Sequence, residues 1–219
     1  MTVLRTRVKV CGLTREIDAR AAVRAGADAL GIILAPGHLR SLSLKQAAKV
    51  FAKVPPTVVR VGVFVDAPLE EVSKAVEVLE LNEVQLHGSE GPMYCASVAV
   101  PVVKTFRVGP GFDPDRMLPY KGAVAAVLLD TLVEGAAGGS GKSFDWNLAR
   151  EVPDIAPVCL AGGLRPENVR EAVRRLRPAG VDVSSGVESA PGIKDEEKIK
   201  RFIAEVRAAD LENEGRPRR

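Results

Sequence analysis

The chain is 219 residues long, 46% hydrophobic and 27% charged, with 20 Gly and 15 Pro, enough apolar content for a sizeable core, which excludes a compositionally disordered chain. Its formal charge of +3 is accounted for by Arg216, Arg218 and Arg219 in a polar C-terminal tail, so the balanced remainder is a poor electrostatic footprint for nucleic acid or an anionic membrane, while leaving room for a local cluster that binds a small anion. Cys11, Cys95 and Cys159 lie far apart with no C-x-x-C spacing, which argues against a zinc site or a disulfide framework and for a reducing, cytoplasmic setting.

At the N-terminus Arg5, Arg7 and Lys9 precede no apolar leader segment, and the longest plain apolar run, Ala123 to Leu129, is far short of a membrane span. Short β-branched or apolar runs then recur at Arg7–Cys11, Ala29–Leu34, Val58–Phe64, Glu83–Leu86, Val102–Phe106, Val124–Leu129, Pro157–Leu160 and Gly180–Val183, and each reads as a buried parallel strand. Helical periodicity fills the intervals, most plainly in Pro68–Leu79 and Pro166–Leu176, where a proline near the first turn loses no hydrogen bond. The intervals Gly109–Pro119 and Leu132–Ser143 are rich in Gly and Pro or in Gly and give the poorest helical pattern. A last helix is expected near Glu196 to Arg207. Eight strand–helix units of roughly 27 residues each predict a single-domain (β/α)8 TIM barrel with few insertions over residues 1–209, followed by a frayed tail over 210–219. An open doubly wound sheet would carry a dinucleotide fingerprint after its first strand, and Cys11-Gly12-Leu13-Thr14 is not one.

In such a barrel function gathers where strands end. The residues there are Cys11, Gln85 and His87, Lys104, Asp130, Gly162-Gly163 and Ser184-Ser185-Gly186. A free cysteine is usually a buried packing residue, but Cys11 lies two residues after Lys9 on one strand face, where an ammonium favours a thiolate. Asp130 interrupts the run Val127-Leu128-Leu129, although a loop aspartate commonly just caps a turn. His87 reads equally as a strand-end hydrogen-bonding group and as a ligand. Arg40, in the second loop, offers a planar fork suited to a carboxylate, against the commoner fate of a solvated side chain. Glycines after the seventh and eighth strands let backbone N–H groups approach an anion, and these two loops together suggest a phosphate cradle rather than two unrelated turns. Gly138-Gly139-Ser140-Gly141-Lys142 is not a nucleotide P-loop, because Ala136 replaces the required first glycine. With only His38 and His87, a multi-histidine metal site is not available.

Seven segments in order carry a resemblance: Lys9-Val10-Cys11-Gly12-Leu13-Thr14, Val61-Gly62-Val63-Phe64-Val65, Val84-Gln85-Leu86-His87-Gly88, Leu128-Leu129-Asp130-Thr131, Gly138 to Lys142 with Phe144-Asp145-Trp146, Ala161-Gly162-Gly163-Leu164 with Pro166-Glu167-Asn168-Val169, and Val181 to Glu188, with Pro191-Gly192-Ile193-Lys194-Asp195 beyond. Together they resemble the phosphoribosylanthranilate isomerases of tryptophan biosynthesis. The second unit departs from that pattern, with Gly31-Ile32-Ile33-Leu34 in place of an aromatic-containing strand. The resemblance implies a (β/α)8 barrel that performs an Amadori rearrangement without metal or organic cofactor, as a monomer or homodimer acting on a small phosphorylated substrate. It implies Cys11 as the general base, acting as thiolate, and Asp130 as the general acid. It further implies substrate binding by Lys9, Arg40, Gln85, His87, Gly139, Gly141, Gly162, Gly163, Ser184, Ser185 and Gly186. The alternatives are a non-catalytic phosphate-binding barrel, which would need neither Cys11 nor Asp130, and a related sugar-phosphate isomerase.

Overall fold

A computed structural model describes residues 5–131 and 152–214 of the chain. Eight parallel strands close into one barrel in chain order: β1 (Arg7–Val10), β2 (Ala29–Ile33), β3 (Val59–Phe64), β4 (Glu83–Leu86), β5 (Val102–Val108), β6 (Ala126–Thr131), β7 (Val158–Leu160) and β8 (Gly180–Val183). The helices are α1 (Glu16–Ala25), α2 (Leu44–Phe51), α3 (Leu69–Leu79), α4 (Pro92–Ser97), α5 (Val169–Leu176) and α6 (Glu196–Glu212). No helix among the described residues is long and apolar enough to cross a membrane.

Local chemistry explains several of the boundaries. Gly26, at φ 92°, ends α1 in a left-handed turn and donates to Ala22 and Val23 carbonyls. Ser43 and Gln46 form a reciprocal capping box that starts α2. The helix expected from Pro166 begins three residues later, because Asn168 holds the preceding turn through Arg165 N–H and the Gly163 carbonyl. The Gly/Pro-rich interval after β5 forms a 3-10 helix, Pro114–Tyr120, in place of an α-helix. The interval Leu132–Ser143 lies outside the described residues. At the C-terminus α6 runs into the segment expected to be frayed: Asp210 accepts hydrogen bonds from the Thr6 backbone and hydroxyl, and Asn213 donates to the Val173 carbonyl. These bonds tie the last turn of α6 to Thr6 and to α5, so residues 210–213 belong to the folded barrel.

Strand alternation sorts the side chains into two populations. Outward-facing Val8, Val10, Leu30, Ile32, Val84, Leu86, Val127, Leu129, Val181 and Val183 are buried against the helices and form the main core. Among the described residues a separate small apolar cluster, Val103, Leu128 and Ala161, packs inside the barrel. Above it the interior turns polar, and register decides which polar groups meet. Lys9 pairs with Asp182 across β1 and β8, and Arg107 pairs with Asp130 across β5 and β6.

Lys104 does not end its strand, because β5 continues to Val108. Its ammonium lies beneath the loop after β4, on the Gly88 carbonyl at 2.7 Å and Glu90 at 2.9 Å, with both side chains nearly fully buried. Glu90 in turn accepts from the backbone N–H groups of Asp66 and Gly88. The pair fixes the loop that carries His87 and takes no place in the barrel mouth.

Candidate active site

A cavity of about 400 Å³ opens at the C-terminal end of the strands and is lined by Cys11, Arg40, Gln85, His87 and Asp130 together with Gly162, Gly163, Ser184, Ser185 and Gly186. Lys9 lies just beneath its floor. Gly139 and Gly141 fall outside the described residues.

At one side Cys11 and Lys9 stack along β1 under a gap in β2. A Cβ placed on Gly31 would stand 2.7 Å from Cys11 Sγ and 2.9 Å from Lys9 Cε, so the pair occupies the space a side chain there would take. Lys9 Nζ donates to Asp182 at 2.9 Å and to Gln85 Oε1 at 2.7 Å. Burial lowers the Lys9 pKa, but Asp182 and then Cys11 overcome that and leave it above its ordinary value. The expected pull of Lys9 toward a thiolate is present but is opposed by the surroundings. Burial pushes the Cys11 thiol upward, Lys9 opposes it, and Asp182 pushes upward again, leaving the thiol above its usual range. The sequence placed the ammonium correctly but not the carboxylate that neutralises it.

The other side is organised through Gln85. The Lys9 ammonium can only donate, so the Gln85 carbonyl oxygen must face it and the Gln85 amide nitrogen must face His87 Nδ1, 3.3 Å away. In the neutral imidazole this leaves the proton on Nε2, which lies 3.3 Å from Asp130 Oδ2. A directed chain of donors thus runs Lys9, Gln85, His87, Asp130 across the floor of the cavity. Gln85, read from the sequence as a ligand, has both ends of its amide engaged within the protein and orients its neighbours.

The third wall comprises the loops after β7 and β8. Gly162 and Gly163 adopt φ of 76° and 65°, the left-handed region glycine reaches without strain. At Gly186 an added Cβ would lie 1.9 Å from the Leu164 carbonyl oxygen, so the two loops are in direct backbone contact and form one surface.

Arg40 forms the fourth. Its side chain is 9% exposed and its Nε and Nη2 donate to Glu188 Oε1 and Oε2, both at 2.7 Å. Burial alone would raise the Glu188 pKa, but hydrogen bonds from Arg40 and Lys194 overcome it and hold the carboxyl at about 2. His38, whose Nδ1 accepts from the Arg40 backbone, has its pKa pushed below the ordinary value chiefly by burial and then by Arg40.

Sequence reasoning missed several residues of this site. Arg107 lines the cavity, but was hidden by ending β5 at Phe106. Asp182 also lines it, and its Oδ1 is buried without a hydrogen-bond partner among the described residues. Its inward position was legible from alternation with Ser184. Glu188 and Lys194 stood in the quoted segments without a role. Among the described residues no group of three His, Cys, Asp or Glu side chains is placed to hold a metal ion.

Comparison with known proteins agrees with this geometry. The family model described as N-(5'phosphoribosyl)anthranilate (PRA) isomerase matches residues 8–205. A curated relative of Chromohalobacter salexigens, N-(5'-phosphoribosyl)anthranilate isomerase, is 46% identical over 207 residues, covering 92% of this chain and 94% of its own. The crystal structure of phosphoribosyl anthranilate isomerase from Thermotoga maritima superposes with a TM-score of 0.86 at 40% identity, covering 93% of this chain and 99% of that one. A structure of such an isomerase in complex with reduced 1-(o-carboxyphenylamino)-1-deoxyribulose 5-phosphate superposes at 0.83, again at 40% identity and with the same coverage. The matches span the whole barrel, including both sides of the cavity, and the chain belongs to the N-(5'-phosphoribosyl)anthranilate isomerase family.

Proposed function

We propose that this protein catalyses the Amadori rearrangement of N-(5-phosphoribosyl)anthranilate to 1-(2-carboxyphenylamino)-1-deoxyribulose 5-phosphate in tryptophan biosynthesis. The observation that carries this reading is the placement of a thiol and a carboxyl group at different walls of one cavity, Cys11 directly after β1 and Asp130 on β6, with a glycine–serine surface closing the end between them.

The chemistry requires two proton transfers at different atoms. Asp130 protonates the furanose ring oxygen, the C1′–O bond breaks, and the anthranilate nitrogen supplies the electron pair that forms the iminium. Cys11 then removes the C2′ proton, and the C2′–H electrons become the C1′–C2′ double bond of the enolamine, which tautomerises to the ketose. The competent enzyme therefore carries a proton on Asp130 and none on Cys11, and turnover leaves the reverse. Lys9 opposes the burial penalty on the thiolate, while His87 holds the Asp130 carboxyl through Nε2. Asp182 offers its unpartnered oxygen to a substrate N–H or hydroxyl. The loops bearing Gly162, Gly163, Ser184, Ser185 and Gly186 hold the 5′-phosphate, and Arg40 meets the anthranilate carboxylate.

The direct test is the fluorescence of freshly prepared phosphoribosylanthranilate mixed with purified protein. Enzyme-dependent loss of the signal is the expected result. A signal that decays no faster than in buffer, with protein shown to be folded, refutes the assignment. Oligomeric state is a separate question: the family includes a dimeric Thermotoga maritima enzyme studied as engineered monomers, and we propose that every group named above comes from a single chain, so monomer and homodimer are equally competent.

A further inference from the structure

A short antiparallel hairpin follows β8, with Glu188–Ala190 against Ile193–Lys194, and in it Glu188 faces Lys194; the two are among the most deeply buried ions of the described residues, with side chains 6% and 0% exposed. The reaction as written uses neither. Clustering three buried charges, Arg40, Glu188 and Lys194, is a poor route to stability, because apolar residues of similar volume would do as well without the desolvation cost. What the charges supply is orientation. Glu188 engages the guanidinium edge-on through Nε and Nη2, which fixes the plane of the fork and leaves Nη1 without a partner among the described residues, on a side chain that lines the cavity.

Lys194 then anchors Glu188. Its ammonium lies 2.8 Å from Glu188 Oε1, 3.0 Å from the Ser184 carbonyl and 3.4 Å from Ser184 Oγ, so the fork is tied to the loop after β8. Gly12 completes the joint: a Cβ there would stand 2.7 Å from Arg40 Cδ and 2.8 Å from Ser184 Oγ. Two cations and one carboxylate leave a single net positive charge at the wall, matching one carboxylate on a substrate. An Arg40–Glu188 pair without Lys194 would be neutral and would offer no such match.

We infer that Glu188 and Lys194 are positioning residues that hold the Arg40 fork in register for the aryl carboxylate of the substrate, and that Lys194 couples this clamp to the phosphate-binding loop. The inference rests on the isomerase reading above and on Arg40 as the partner of the carboxylate. Its test compares N-(5-phosphoribosyl)anthranilate with N-(5-phosphoribosyl)aniline, which lacks the carboxylate. In Glu188→Gln, KM for the anthranilate substrate rises at least about tenfold with kcat little changed, while kcat/KM for the aniline substrate stays at the wild-type value. Glu188→Asp recovers part of the loss. Lys194→Met raises KM for both substrates, because the Ser184 loop loses its anchor as well. Arg40→Lys, which keeps the charge and removes the fork, gives the same split as Glu188→Gln and serves as the test if Glu188→Gln does not fold. Equal loss on both substrates in Glu188→Gln, or a wild-type KM for the anthranilate substrate in folded Arg40→Lys, overturns the inference while leaving the isomerase assignment intact. Wild-type protein that turns over neither substrate overturns the assignment itself, and the inference with it.

Discussion

Gly31→Ala adds one methyl group to β2 and places it against the proposed base. The new Cβ would stand 2.7 Å from Cys11 Sγ, where ordinary contact begins at 3.4 Å, so the thiol must retreat by about 0.7 Å. Lys9 Cε and Nζ, at 2.9 and 3.1 Å from the same point, must shift too. Two opposing terms set the effect on stability: overpacking costs about 1–3 kcal/mol, and the lower entropy of an unfolded chain with alanine returns about 0.4–1 kcal/mol. A net loss of roughly 0–2.5 kcal/mol leaves a folded protein with a modestly lower Tm. Catalysis suffers more, since displacing a reacting group by this much costs up to about 10²-fold in kcat. The assay is stopped-flow fluorescence with phosphoribosylanthranilate, alongside thermal unfolding by circular dichroism. Wild-type kcat in a folded Gly31→Ala enzyme would refute the reasoning, because the reacting thiol could not then be where the structure puts it.

Cys11→Ser lowers kcat by at least about 10²-fold with little change in KM, since a hydroxyl is too weak a base to replace a thiolate; retained turnover in the single-turnover assay sends the search for the base elsewhere. Because burial raises the Cys11 thiol above its ordinary value, the thiolate grows as pH rises, and kcat/KM of the wild type climbs through the neutral range on this limb; a profile that falls steadily from pH 6 to 9 contradicts it. Asp130→Asn retains the shape and accepts from His87 but cannot deliver a proton, so turnover collapses while anthranilate and phosphate still protect the protein against thermal unfolding. Gly186→Ala drives a methyl into the Leu164 carbonyl, separating the two loops, and the expected result is a raised KM with weakened competition by inorganic phosphate; unchanged phosphate competition would place the anion elsewhere.

The sequence was most legible where one physical rule governed a whole segment. In β6 the run Ala126 to Leu129 is continuously apolar because both faces of that parallel strand are covered, whereas β1 alternates Arg7, Val8, Lys9 and Val10, and both strands were found within two residues of their observed ends. The α5 start was misjudged because Pro166 looks like a helix opener, whereas Asn168 uses both ends of its amide to hold a turn first. Cys11, Asp130, Arg40 and the two glycine loops were visible through their position at strand ends. Their electrostatics were not. Whether Lys9 favours a thiolate depends on Asp182, 173 residues away in the chain, and that neighbour is set by barrel closure. Likewise Gln85 resembles a ligand until a lysine from another strand fixes which way its amide faces. Arg107 was lost to a strand boundary, the least reliable quantity in a reading of hydrophobic runs.

Barrel closure also bears on the order in which the chain can complete itself. The β8 edge of β1 is paired through Arg7–Gly180, Val8–Val181, Lys9–Asp182 and Val10–Val183, so during synthesis at about 5–20 residues per second that edge waits on the order of ten seconds or more for its partner. A long-exposed strand edge invites pairing with another chain, and lysine on such an edge is a common protection. Lys9 and Arg7 sit on this one, each ending against a carboxylate, Asp182 and Glu83 respectively. The general rule makes these two charges obstacles to such mispairing until β8 closes over them, and in the closed barrel both are met by carboxylates.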